Sequence, residues 1–274
     1  MRAVLLAVAL LAAPVVAAAE TCRFAGTTSH GGKVEVTTQV TQDGETLAVD
    51  VDAVLTISGW FADLEYLVQE ISTWRRGELQ RVAVNGRTVI DGRIKRQQWD
   101  VFVREPTGLA ARRVQAKTLA DFRRLHPGFV SHWALSSFGQ DWVGSYAAAP
   151  PERRPDLDLP GPLLPGLKSP LAFAFYWSRF LPLGGGASPM FLPGFKRDKQ
   201  TDIAYGAATS GEGWRRWQAQ LRHPGLASSP ASFVAAWVSP QGYLLQLAFD
   251  VHAPLGSGQA LIRTQGCQGV QIAP

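Results

Sequence analysis

The sequence predicts a mainly β protein, built as one large curved antiparallel sheet or partial β-barrel with one or two short helices. Three observations carry this. Lys33 to Thr41 alternates strictly, with Val34, Val36, Thr38 and Val40 on one side and polar residues on the other, as a half-buried strand must. Turn sequences such as Asp43-Gly44, Arg76-Gly77, Asn85-Gly86 and Pro240-Gln241-Gly242 separate runs of this kind at hairpin spacing. With 46% hydrophobic and 18% charged residues in 274, the chain has enough apolar side chains for a substantial core.

The elements follow in chain order. Arg2, the apolar run Val4 to Val16 and the small residues Ala17-Ala18-Ala19 form a signal-peptide pattern. Cleavage near Ala19 would leave residues 20–274 as a single β-rich domain in the periplasm. The apolar run is shorter than the ~20 residues a transmembrane helix needs, so no membrane span is expected. Glu20-Thr21 separates Cys22 from the small residues, which disfavours a lipid anchor. Cys22 and Cys267 are the two cysteines, and in an oxidising compartment they are expected to pair.

After the first hairpin, Leu47, Val49 and Val51 begin a return strand. Tyr66 to Trp74 repeats the alternation with Tyr66, Val68, Ser72 and Trp74 on one face, which Glu70 interrupts. Strands over 79–84, 88–94 and 99–103 then complete a meander, with a turn expected at Asn85-Gly86. Thr118 to Asp121 reads as a capping box opening a short helix with Leu119, Phe122 and Leu125 on one side. Residues 147–168 are rich in proline and predict an extended connection across the open side of the sheet. Ser169 as N-cap and Pro170 at the first helical position open an apolar helix running to Phe180 and ended by Gly184-Gly185-Gly186. Strands return over 201–207, 214–222, 232–239, 243–251 and 259–264. Two sandwiches split at the proline-rich stretch are the alternative architecture.

The charge excess of +5 is spread over arginine doublets such as Arg75-Arg76 and Arg215-Arg216, not the runs of a nucleic-acid arm. No Gly-X-Ser-X-Gly elbow, His-Glu-X-X-His pair or phosphate-binding glycine loop occurs. The five histidines never stand at metal-ligand spacing, so neither a metal nor a cofactor is expected. An enzyme ranks last, and would have to assemble scattered residues such as His132, Asp141 and His252.

The positive signal is aromatic. Nine tryptophans and thirteen phenylalanines are more than the strands alone call for. Trp60, Phe61, Trp74, Phe175, Trp177, Phe180 and Trp237 are expected to line a hydrophobic pocket for an apolar or amphipathic, lipid-like ligand, with the helix from Ser169 as lid. Plain core packing competes with this reading, and so does stacking on an envelope glycan. An envelope protein partner bound by Pro150 to Pro165 and the arginine doublets is a further alternative.

Three segments resemble a known family. Glu70 to Leu79 places an acid, then Trp74, then Gly77-Glu-Leu79. Pro170 to Leu183 carries Phe175-Tyr176-Trp177-Ser178-Arg179, and Ala236 to Gly242 is followed by Pro254-Leu255-Gly256-Ser257. Together they resemble the exported bacterial family catalogued as domain of unknown function 3108. The resemblance implies a periplasmic curved β-sheet protein similar in shape to envelope lipid carriers, and it supplies no catalytic residues.

Overall fold

The computed structural model describes residues 18–59, 62–105, 108–116, 170–191, 200–222, 232–253 and 256–272. Its first half is β1 (Ala18–Thr28), β2 (Lys33–Asp43), β3 (Thr46–Ser58), β4 (Asp63–Arg75), β5 (Glu78–Ile90), β6 (Arg93–Glu105) and β7 (Gly108–Ala116). A helix, α1 (Pro170–Phe175), and a 3-10 turn (Trp177–Phe180) follow. The second half is β8 (Gly186–Phe191), β9 (Gln200–Tyr205), β10 (Thr209–Gly211), β11 (Trp214–Arg222), β12 (Ser232–Val238), β13 (Leu244–Ala253) and β14 (Gly256–Gly269).

The fourteen strands form one antiparallel sheet in the order β7-β6-β5-β4-β3-β2-β1-β14-β13-β12-β11-β9-β8, with β10 on the side of β11. This is the predicted large curved sheet, and the two-sandwich alternative is set aside. The two meanders meet where β1 pairs with β14, so the first and last strands lie in the middle of the sheet. Register shifts at Arg23/Phe24, Thr73/Trp74, Thr88/Val89 and Trp237/Val238 insert extra residues and bend the strands.

One expected turn is corrected. Asn85-Gly86 lies inside β5, with Asn85 opposite both Gln69 and Trp99. Hydrogen-bonding neighbours on both sides hold the segment extended against its local preference. The turn falls instead at Asp91-Gly92, whose φ values of 49° and 70° are those a tight two-residue hairpin requires. The short helix at Thr118, the connection 147–168 and Ser169 lie outside the described residues.

Alternation decides what each strand buries. Phe24, Val36, Val40, Val49, Val51, Trp74, Val84, Ala236, Leu247 and Ile262 all face one side of the sheet and join one core cluster. The helix and 3-10 turn complete that cluster with Ala172, Ala174, Phe175 and Tyr176. The insert therefore packs directly onto the inner face of the sheet. On the other face, Asp50 and Asp52 of β3 lie near Gln69 of β4. Burial, together with the charge of Asp52, pushes the Asp50 carboxyl up to about 6. A carboxyl raised in the folded state opposes folding once it ionises. That cost is absent below the unfolded value near 3.8 and complete above about 6. Asp50→Asn, measured in EDTA, is thus expected to raise the melting temperature at pH 7.5 and leave it unchanged at pH 3.5. The gain is bounded by about 3 kcal/mol and reduced by solvent around a part-exposed group.

Candidate functional site

The insert is held at three points, each set by a residue distant in sequence. At its start, Glu70 of β4 receives the Ala172 N–H at 3.0 Å and the Leu171 N–H at 3.4 Å on its two carboxylate oxygens. Pro170 occupies the first helical position as expected, and a strand glutamate satisfies the free N–H groups that follow it. The acid that interrupts the apolar face of β4 is thus the helix cap. Glu70 is 1% exposed, so Glu70→Ala strips acceptors from two partly or fully buried donors. It is expected to cost about 2 kcal/mol, read as a lower urea midpoint with unchanged slope.

At its far end, Arg179 donates from Nη1 to Glu20 Oε1 at 2.5 Å, with both side chains almost fully buried. Glu20 Oε2 also accepts the Ile272 N–H at 3.1 Å, so one carboxylate ties together β1, the insert and the C-terminal segment. The exit is fixed where Trp217 Nε1, on β11, donates to the Pro182 carbonyl at 3.4 Å.

Between these points the insert presents rings to the sheet. Phe175 meets Phe24 at 5.3 Å between centroids, and Trp177 meets Trp74 edge-on at 5.0 Å. Tyr176 contacts both Trp177 and Phe180 at 5.1 Å. The Arg179 guanidinium sits 4.7 Å from the Tyr176 ring and 5.3 Å from the Phe180 ring, so one cation is shared by two aromatic faces.

Four of the residues expected to line a pocket, Trp74, Phe175, Trp177 and Phe180, are thus brought together. Trp74 and Phe175 are buried in the core, while Trp177 and Phe180 are partly exposed. Trp237 is not among them. Its strand neighbours Ala236 and Val238 enter the core, and Trp237 faces the other way beneath the guanidinium of Arg216 at 5.0 Å. Trp60 and Phe61 lie outside the described residues, as do His132 and Asp141. His252 is a β13 residue paired with Ser257.

Sequence reasoning missed Glu20, Tyr176 and Arg179 as a group, and their polar atoms are not all satisfied. The Tyr176 hydroxyl and the Nε and Nη2 of Arg179 are buried without a hydrogen-bond partner. Burial pushes the Tyr176 phenol up to about 12, which keeps its proton in place as a donor. Nε and Nη2 form the side-on edge of a guanidinium, the edge that engages a carboxylate or phosphate through two parallel bonds. A buried donor left without an acceptor costs about 1–3 kcal/mol. Three such donors beside one ring cluster form an acceptor-seeking site.

Cys22 and Cys267 lie directly opposite each other on β1 and β14 and form the expected disulfide. Their sulfurs and the Glu20 carboxylate lie within 4.8 Å of one another, but the bond consumes both thiols and leaves no thiolate for a metal. Among the described residues no helix is long and apolar enough to cross a membrane.

No protein-family model matches the chain, and no curated protein matches it in sequence. Among solved structures it is similar to a crystal structure of a beta-barrel-like protein of domain of unknown function DUF1849 from Brucella abortus. The TM-score is 0.54 at 7% identity, over 93% of this chain and 98% of that one. At that identity the likeness is one of architecture: the described strands form a large curved antiparallel sheet of the β-barrel-like kind.

Proposed function

We propose that the chain is an exported, non-enzymatic periplasmic protein that binds an apolar or amphipathic, lipid-like envelope ligand. On this reading it is a relative of the family catalogued as domain of unknown function 3108. The observation that carries the binding role is the triplet of buried, unbonded donors on Tyr176 and Arg179, set against the rings of Trp177 and Phe180. An amphipathic molecule meets both demands at once, with oxygen acceptors at one end and an apolar body at the other. Apolar residues left partly exposed on the inner face, including Ile57, Val68 and Tyr66, offer further surface for such a body. The single disulfide agrees with an oxidising compartment.

The test is extraction of the purified protein for mass spectrometry, paired with displacement of a fluorescent fatty acid. The expected result is saturable binding that Tyr176→Phe weakens roughly tenfold, since that change removes one donor and leaves the ring packing intact. A protein that is empty on purification and ignores the probe sinks the proposal.

A further inference from the structure

The face of the sheet opposite the insert carries a second polar cluster, unrelated to the ligand reading. Asp52 of β3 stands directly opposite Gln69 of β4, and Asp50 lies two residues along on the same face. Gln69 is 3% exposed. Its Nε2 donates to Asp50 Oδ1 at 3.4 Å, while its Oε1 has no partner. The Oδ1 of Asp52 is also buried without a partner. Among the described residues neither aspartate forms an ion pair. The charged residues whose positions fall on this face nearby are Glu35, opposite Val54 on β3, Arg87, opposite Leu67 on β4, and Arg23 of β1, opposite Thr37. Thr37 and Gln39 of β2 stand opposite Asp52 and Asp50.

Buried polar clusters ordinarily pair donors with acceptors. Here two carboxylates and an amide oxygen share one patch of the sheet, and among the described residues a single amide N–H is the one donor bonded to them. Two oxygens, Asp52 Oδ1 and Gln69 Oε1, are left buried with no hydrogen-bond partner. A cation reverses the sign of that arrangement.

We propose that Asp50, Asp52 and the Gln69 amide oxygen form a binding site for a hard divalent cation of the calcium class. The ligand set is all oxygen, which suits calcium or magnesium and lacks the nitrogen and sulfur donors that favour zinc or copper. Calcium accepts about 6–8 oxygens at about 2.3–2.6 Å in flexible geometry, so water can complete the shell on the part-exposed side of the aspartates. The two carboxylate charges balance the ion. Three ligands from two adjacent strands, with water for the remainder, imply weak binding, in the range of about 10⁻⁴–10⁻³ M known for extracellular modules.

The test uses the full purified chain, dialysed against EDTA and titrated with CaCl₂ alone at pH 7.5, read by calorimetry and thermal melting. The expected result is one calcium per chain with a rise of several degrees in melting temperature, absent with KCl at matched ionic strength. Asp52→Asn keeps the shape and removes one charge, so it is expected to fold at least as well without calcium and to lose the calcium response. Gln69→Glu exchanges an amide for a third carboxylate, and is expected to tighten binding severalfold. No heat and no melting shift with calcium in the wild type overturns the proposal. A shift reproduced by KCl overturns it as well, and so does an Asp52→Asn variant with the full response. If acidification stabilises the protein and calcium does nothing, a shared proton holds the cluster and the cation site is wrong.

Discussion

Glu20→Ala is expected to destabilise the fold by about 3–5 kcal/mol, the largest effect of any single substitution considered. The loss has two physical parts. Arg179 would be left as a buried cation with no counter-ion, because its remaining nitrogens have no partner in the protein. The Ile272 N–H would lose its acceptor in the same step. Glu20→Gln should recover only part of the loss, since its single amide oxygen replaces two accepting oxygens: one hydrogen bond is kept, and the NH2 is turned toward the other donor. Replacing Glu20 and Arg179 together by leucine and methionine removes the stranded charge, and is expected to recover most of the loss. Urea denaturation of the four proteins decides the matter. A loss below about 1 kcal/mol for Glu20→Ala would mean that the pair is hydrated rather than sealed in the core.

Removing the disulfide is the second large effect. Its two cysteines are 245 residues apart, so the bond closes nearly the whole folded chain on itself. The chain-entropy account places its contribution near ~5 kcal/mol, and removal of native disulfides typically costs about 2–5 kcal/mol. The double variant Cys22→Ala, Cys267→Ala is expected to fall in that range, and wild type in reductant should match it. The two predictions are not independent. Cys22 lies two residues from Glu20 on the same face of β1, so the combined variant should lose less than the sum. A double variant as stable as wild type would show that β1 and β14 hold together by backbone pairing and core contacts alone.

How much of this was legible in the sequence depended on how far each signal reached. The alternation of Lys33 to Thr41 is a local property, and β2 appears where it says. Pro240-Gln241-Gly242 likewise makes its turn, with the Gly242 N–H on the Ser239 carbonyl at 2.9 Å. Asn85-Gly86 carries an equally local signal that two neighbouring strands override. β1 went unread because its first residues, Ala18 and Ala19, look like the end of an export signal rather than the start of a strand. Trp237 could have been assigned to the opposite face from its buried neighbours Ala236 and Val238, since strand side chains alternate. Glu70 announced itself by interrupting an apolar face. Its partner could not be read, because the helix N-terminus it caps lies about a hundred residues away. Glu20 with Arg179 is the extreme case, a pair 159 residues apart that no periodicity foretells.

The meeting of β1 with β14 has a consequence for how the chain reaches this state. β1 is synthesised early, yet one of its two neighbours is the last strand to exist. Until β14 arrives, one rim of the growing sheet offers a row of free N–H and C=O groups that any extended peptide could join. Zipping that rim shut demands closure of a very long loop, so its formation is expected to be slow compared with the hairpins around it. A chain truncated before Gly256 would keep the rim open permanently and should be prone to strand-mediated aggregation.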